Sequence, residues 1–273
     1  MAAAHEYQTI TFEIKDRIAT ITLNQPKRKN ALSQEMRDDL AHVVRDIQFD
    51  SGLGAVIITG SEGVFCAGGD LKLLSEGERD TAQDRTRFYR LHDWFQVLLN
   101  LEIPVIAAID GPAYGAGFSL ALAADFILVS ETARLCCVFP RIGLIPDVGA
   151  FFTLPRIVGL QKAKEIMFTG RPVLADEAKA LGIAMEIHSS ETLPGAARAL
   201  AERLCLGSTA AIGATKRILN QSFNLDAHAL VEMEGAAQSV FLSSAYHKDA
   251  ISKFLDKQPM AFDWERMDRE TKG

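Results

Sequence analysis

The chain has 273 residues, 48% of them hydrophobic and 23% charged, the composition of an ordinary soluble globular protein with room for one large core. Its net charge of −6 offers no basic face to nucleic acid. The most apolar stretch, Val105 to Ser130, is broken by Asp110, Gly111, Pro112 and Asp125, which argues against a bilayer span.

The N-terminal MAAAHEYQTI has no basic-then-apolar leader. Cys66, Cys136, Cys137 and Cys205 lack metal-type spacing and read as reduced, mostly buried thiols. The expectation is a cytoplasmic protein with no metal, no nucleic acid and no membrane. In TITFEIKDRIATITLN, Ile10, Phe12 and Ile14 alternate, then Ala19, Ile21 and Leu23, with Lys15-Asp16-Arg17 between them, which predicts an antiparallel hairpin. The basic cluster Lys27-Arg28-Lys29 reads either as a solvated loop or as a contact for a small anion.

Ser33 is placed to cap a helix that carries Met36, Leu40, Val43, Val44 and Ile47 on one face. AVIITG and PVIAAIDG (104–111) read as buried strands, FSLALAAD as a helix, and FILVS and RLCCVF as further strands. Strands alternating with helices predict an α/β core with a covered parallel sheet. From about Gly159 the texture becomes mostly helical, apart from a short strand IAMEI. The expected division is a core over 1–200 and a helical C-terminal region over 201–273 that is not an independent domain. Leu230, Val231, Met233, Val240, Phe241 and Leu242 make that region too apolar to float free, so it packs on the body or on another subunit.

Two glycine turns follow buried strands, VFCAGGDLK (64–72) and DGPAYGAGFSLALAAD (110–125). Small residues there leave backbone N–H groups open to an anionic oxygen. Neither a complete G-x-G-x-x-G nor a Gly-Lys-Ser/Thr is present. Convergence of the two turns would make an oxyanion hole, which spacing alone leaves open. Downstream, FPRIGLIPDVG (139–149) carries Arg141 and Asp147 in an apolar run. On the residues alone, Asp147 is either a turn residue or an acid/base in an apolar pocket.

NQPKRKNAL, FCAGGDL, PVIAAIDGPAYGAGFSLALAAD and RIGLIPDVGAFFTLPRIVG, continued through GLQKAKEIMFTGRPVLADEAKALGIAMEI to HKDAISKFLDKQPMAF, resemble in order and spacing the enoyl-CoA hydratase/isomerase (crotonase) superfamily. The resemblance implies an α/β fold, a crotonase (ClpP/crotonase-like) spiral of ββα units with a helical C-terminal region, assembled as a homotrimer or a dimer of trimers. It implies acyl-CoA thioester substrates, coenzyme A being part of the substrate and no cofactor being permanently bound. The thioester oxygen would be held by the N–H groups of Gly69 and Ala116, the latter a glycine in most of the family. Ala67, Asp70 and Leu71 would follow the CoA, with Arg28 and Ala31 in the N-terminal loop. Lys257 matches a lysine that reaches CoA from a neighbouring subunit in relatives.

The two glutamates that carry hydration in the family fall here on Ser119 and Arg141, neither of which is a carboxylate base. The motif LIPD with GAG upstream is similar instead to single-Asp isomerases of the ring-1,2-epoxyphenylacetyl-CoA isomerase type. That resemblance implies double-bond or ring isomerisation with Asp147 as the single acid/base, desolvated by Ile145, Val148, Phe151 and Phe152. Three alternatives remain: an enoyl-CoA hydratase; an aroyl-CoA dehalogenase with Asp147 as nucleophile and His92 assisting water; and a non-catalytic CoA-binding or scaffold protein. By the same resemblance residues 76–94 line the acyl pocket. Phe88, Tyr89, Trp94 and Phe95 are then pocket or core residues, and Arg85, Arg87 and Arg90 belong either to the pocket or to a solvated helix face.

Overall fold

The computed structural model describes residues 6–71 and 80–272. Lys72, at the end of the first glycine turn, and residues 76–79 of the expected acyl-pocket segment lie outside the described residues.

Strands β1 (Ile10–Lys15) and β2 (Ile18–Leu23) form the antiparallel hairpin, with Ile10 opposite Leu23 and Lys15 opposite Ile18. Asp16 and Arg17 both take positive φ, 51° and 66°, the two-residue turn whose twist suits a hairpin. A 3₁₀ turn at Pro26–Arg28 leads to α1 (Gln34–Phe49), where the Ser33 hydroxyl accepts from the Met36 N–H. Met36, Leu40, Val43, Val44 and Ile47 form its buried face. Then come β3 (Ala55–Gly60), α2 (Thr81–Leu99), β4 (Val105–Ile109), β5 (Pro112–Tyr114), α3 (Ala116–Ala121), β6 (Phe126–Ser130) and β7 (Arg134–Cys136). They are followed by α4 (Ala150–Val158), α5 (Leu160–Thr169), β8 (Pro172–Leu174), α6 (Ala175–Ala180), β9 (Glu186–His188) and α7 (Leu193–Leu204).

A six-stranded sheet runs β1-β2-β3-β4-β6-β9, parallel from β2 onward, and a three-stranded sheet runs β5-β7-β8. The chain lays β4 in the large sheet, β5 in the small one, β6 in the large and β7 in the small. This alternation is the spiral of ββα units. Side chains of β3 alternate between two cores: Val56 and Ile58 meet the α1 and α2 side, while Ala55 and Ile57 join Ile106, Ala108 and Leu128 beneath α7. Burial on both faces explains the continuous apolar runs. Leu193, Leu200 and Leu204 seal the second core, each burial stabilising by about 1.5–3 kcal/mol.

Three elements are shorter than their apolar runs. The strand in RLCCVF stops at Cys136, because Pro140 sits in a 3₁₀ turn over Phe139–Ile142; Cys137 lies past its end, and both thiols are buried. The strand in IAMEI starts only at Glu186, and the helix in FSLALAAD ends at Ala121.

The C-terminal helices are α8 (Thr209–Leu219), α9 (Ala227–Phe241), α10 (Ala245–Leu255) and α11 (Trp264–Lys272). The last returns to the body, where Arg203 stacks 3.9 Å from the Trp264 ring. Helices α9 and α10 bury no residue, and Val231, Val240, Leu242, Phe254 and Leu255 stand exposed. The body of the same chain therefore leaves this apolar surface uncovered. Among the described residues, no helix is long and apolar enough to cross a membrane, and no three His, Cys, Asp or Glu side chains form a metal cluster.

Candidate active site

The site begins with two turns stitched side by side. After β3 the chain doubles back so that Cys66 forms a parallel bridge with Ala113; Cys66 N–H donates to the Pro112 carbonyl (3.1 Å) and Tyr114 N–H to the Cys66 carbonyl (2.8 Å). On the other side Leu32 bridges Gly69, with Leu32 N–H donating to the Gly68 carbonyl (2.8 Å) and Ala67 N–H to the Lys29 carbonyl (3.0 Å). The loop Ala67–Gly69 is thus held from both flanks. Gly68 takes φ +100°, and a Cβ there would lie 2.7 Å from the Tyr114 carbonyl oxygen and 3.6 Å from Ala116 N. That distance measures how closely the two turns approach.

Neither the Gly69 nor the Ala116 N–H donates to any described residue. Two unpaired backbone donors on converging turns are what an oxyanion requires. A Cβ on Gly117 would press 2.5 Å from the Cys66 carbonyl oxygen, whereas the Ala116 methyl is already accommodated in the core. The close approach falls on Gly117, so alanine one residue earlier keeps the donor without a clash. Burial pushes the Cys66 thiol up to about 12, so it packs under the loop and is no nucleophile.

Asp147 hangs from a strained bend. Val148 is buried and β-branched yet has φ +47°, a conformation that costs of order 1–3 kcal/mol and persists only where packing imposes it. Gly149 follows at φ +73°, pressed against Phe95 so closely that a Cβ would sit 2.2 Å from that ring. The Asp147 carbonyl accepts from Ala150 N–H (3.2 Å), so the backbone does turn here. Of its carboxylate, Oδ1 is buried with no hydrogen-bond partner. Burial raises the carboxyl to about 6, opposed by the charge of Arg37.

The four expected apolar neighbours take different directions. Ile145 and Phe151 are 75% and 56% exposed, and Phe152 lies partly covered under the Arg156 guanidinium. Apolar character in the sequence does not fix the direction a side chain takes, and around the bend it is Val148 that turns inward, with Phe95 of α2 packing beneath Gly149.

The two positions that carry glutamates in hydration are committed elsewhere. Ser119 is 1% exposed and its hydroxyl donates to the Gly115 carbonyl (3.3 Å). Arg141 donates to the Gly170 carbonyl at 2.7 Å. His92 packs edge-on against Phe95 with centroids 6.2 Å apart, and makes no hydrogen bond to Asp147.

Among the expected CoA contacts, Arg28 and Asp70 come together at 3.3 Å, and Arg28 also lies 3.8 Å from Glu35. Ala31 is buried beside them, Ala67 opens the Ala67–Gly69 loop, and Leu71 is exposed. Lys257, at positive φ just past α10, is exposed and bonds to none of these residues.

Arg37 belongs to this site although sequence reasoning passed over it. Its Nε donates to the Leu32 carbonyl (3.1 Å), next to the Gly69 bridge, and its charge acts on both Asp147 and Asp70. The available signal was an arginine set directly beside the apolar face of α1.

The enoyl-CoA hydratase/isomerase family model matches residues 13–266. The 1,2-epoxyphenylacetyl-CoA isomerase of Escherichia coli K12 is 30% identical over 257 residues, 93% of this chain and 97% of that protein. A crystal structure of an enoyl-CoA hydratase/isomerase from Cupriavidus metallidurans CH34 matches with a TM-score of 0.88 at 38% identity, covering 94% of this chain and 97% of that one. A Thermobifida fusca structure solved in complex with CoA matches with a TM-score of 0.80 at 33% identity, over 86% and 93% of the two chains. Among relatives of comparable identity, hydratase is the commoner name.

Proposed function

Because the chain belongs to the enoyl-CoA hydratase/isomerase family, we propose that it isomerises the double bond, or a strained ring, of an acyl-CoA thioester with Asp147 as its single acid/base. The observation that carries this reading is the half-buried Asp147 carboxylate with a buried, unpartnered Oδ1, in a chain whose Ser119 and Arg141 cannot act as hydration bases.

The thioester oxygen sits between the Gly69 and Ala116 N–H groups. Asp147 takes a proton from C2 of a 3-enoyl thioester, the electron pair delocalises into a dienolate whose charge rests on that oxygen, and the same proton returns at C4. The double bond ends conjugated with the thioester, and the carboxylate is regenerated. Fixed donors supply the charge stabilisation and one positioned carboxylate both proton transfers. Hydration would require an additional group to activate water.

The CoA lies along Ala67–Leu71, with Arg28 and Asp70 at the N-terminal loop. The 1–200 core carries the chemistry, and the exposed apolar faces of α9 and α10 meet further copies in a homotrimer or a dimer of trimers, from which Lys257 reaches a neighbour's CoA.

The pH dependence tests the base. A carboxylate that must be ionised and titrates at about 6 gives a kcat/KM for a 3-enoyl thioester that is flat above that pH and falls tenfold per unit below it. A limb at the ordinary carboxylate value, or none, contradicts a desolvated catalytic base.

A further inference from the structure

The mechanism leaves a hollow between α1 and α2 unused. It measures about 610 Å³ and is lined by Arg37, Arg45, Arg87 and Arg90 against two carboxylates, Asp38 and Asp93. Asp38 already accepts from the Gln34 amide at 2.9 Å, and Arg87 pairs at 3.5 Å with Asp84 of its own helix. Arg37, Arg45 and Arg90 form no ion pair with any described residue. Arg37 commits Nε to the Leu32 carbonyl and leaves both terminal nitrogens without a partner among the described residues.

A second donor in the lining is also unsatisfied. Trp94 is 6% exposed, and its indole N–H is buried with no acceptor. A buried donor left unpaired costs about 1–3 kcal/mol. The hollow therefore holds an excess of donors and positive charge over a floor that includes Val44 and Leu91. Burial presses the Arg37 guanidinium below its ordinary value and the Arg87 charge adds to this, against the charges of Asp147, Asp38 and Asp70. Arg37 lines the hollow and its Nε bonds the Leu32 carbonyl, beside the Leu32–Gly69 bridge, so the hollow adjoins the turn that carries Gly69.

We propose that this hollow receives the far end of the acyl chain and that this end is a carboxylate, so that the substrates are CoA monothioesters of unsaturated dicarboxylic acids. The guanidinium forks take the carboxylate, and the apolar floor takes the methylenes between it and the thioester. The proposal rests on the acyl-CoA reading above but not on the identity of the base.

The test is calorimetric binding of two saturated thioesters that differ only at the terminus, adipoyl-CoA and hexanoyl-CoA. The wild-type protein is expected to bind adipoyl-CoA at least about tenfold more tightly, the scale of charge-assisted hydrogen bonds. In the Arg87→Met/Arg90→Met variant the ratio falls toward one, and because the ratio is internal, a general loss of folding does not mimic it. Equal affinities in the wild type overturn the proposal, as does a preference that survives in the variant. Tight binding of free adipate with no difference between the thioesters also overturns it, marking an anion site separate from the acyl chain. The isomerase reading is judged separately, by turnover of trans-3-hexenoyl-CoA, so the two fail independently.

Discussion

Asp147→Asn is expected to lower kcat/KM on a 3-enoyl thioester by about 10²–10⁴-fold, the usual contribution of a positioned acid/base, while leaving acyl-CoA affinity within about tenfold. The same substitution is expected to raise the melting temperature at pH 7. In the folded chain the Asp147 carboxyl titrates at about 6, above its ordinary value of 3.8. Between those two values the unfolded chain gives up its proton first, so rising pH favours unfolding through this group. Above about 6 the penalty is present in full. Solvent reaches part of the residue, which reduces the effect without changing its sign. Asparagine keeps the shape and removes the buried charge. Steady-state kinetics beside thermal melts read both halves: an inactive variant that is also less stable would indicate a damaged loop and not a missing base. The strain at Val148 belongs to the same trade, since the bend that costs backbone energy is the one that presents the carboxylate.

Lys216→Met is expected to cost about 1.5–3 kcal/mol, the range for a hydrogen bond to a charged group. Lys216 is 8% exposed; its Nζ donates to Asp125 Oδ2 at 2.7 Å and to the Ile103 carbonyl at 3.2 Å. The same Asp125 oxygen accepts from Val105 N–H at 2.8 Å. This cluster fixes α8 to the entrance of β4, and methionine removes the Nζ hydrogen bonds while Asp125, which solvent reaches, keeps its bond from Val105 N–H. The double variant Asp125→Asn/Lys216→Met should lose about as much as the single one, because water already solvates the Asp125 charge. Urea unfolding measures both. A single-variant loss under about 0.5 kcal/mol, or full recovery in the double variant, would mean that the Nζ hydrogen bonds contribute no more than a surface contact.

How much of this was legible in the sequence depends on whether the determining interactions are local. The hairpin follows from alternation and a two-residue turn, and α1 from its Ser33 cap and its apolar face, so both were readable. The short reach of β7 was not: an apolar run does not separate a buried strand from a buried turn, and Pro140 decides only once the chain bends. The unpaired donors of Gly69 and Ala116 were visible as glycine-rich turns. Their convergence depends on the bridges Cys66–Ala113 and Leu32–Gly69, which join segments distant in sequence. Asp147 was readable as a candidate, but the directions of the apolar side chains around it were not, since Ile145 and Phe151 are exposed and Phe95 packs under Gly149 from another helix. Arg37 was missed because an arginine beside an apolar face reads as a solvated edge until tertiary packing sets it near a carboxylate.

The central claim is that one carboxylate moves a proton along the acyl chain without adding water. It is tested most directly by giving the purified protein trans-3-hexenoyl-CoA and crotonyl-CoA in parallel and following the absorbance of the conjugated enoyl thioester. The account predicts that conjugation appears from the 3-hexenoyl substrate while the crotonyl signal stays unchanged. Loss of the crotonyl signal, with no conjugation formed from 3-hexenoyl-CoA, would contradict it and point to hydration by groups other than Ser119 and Arg141.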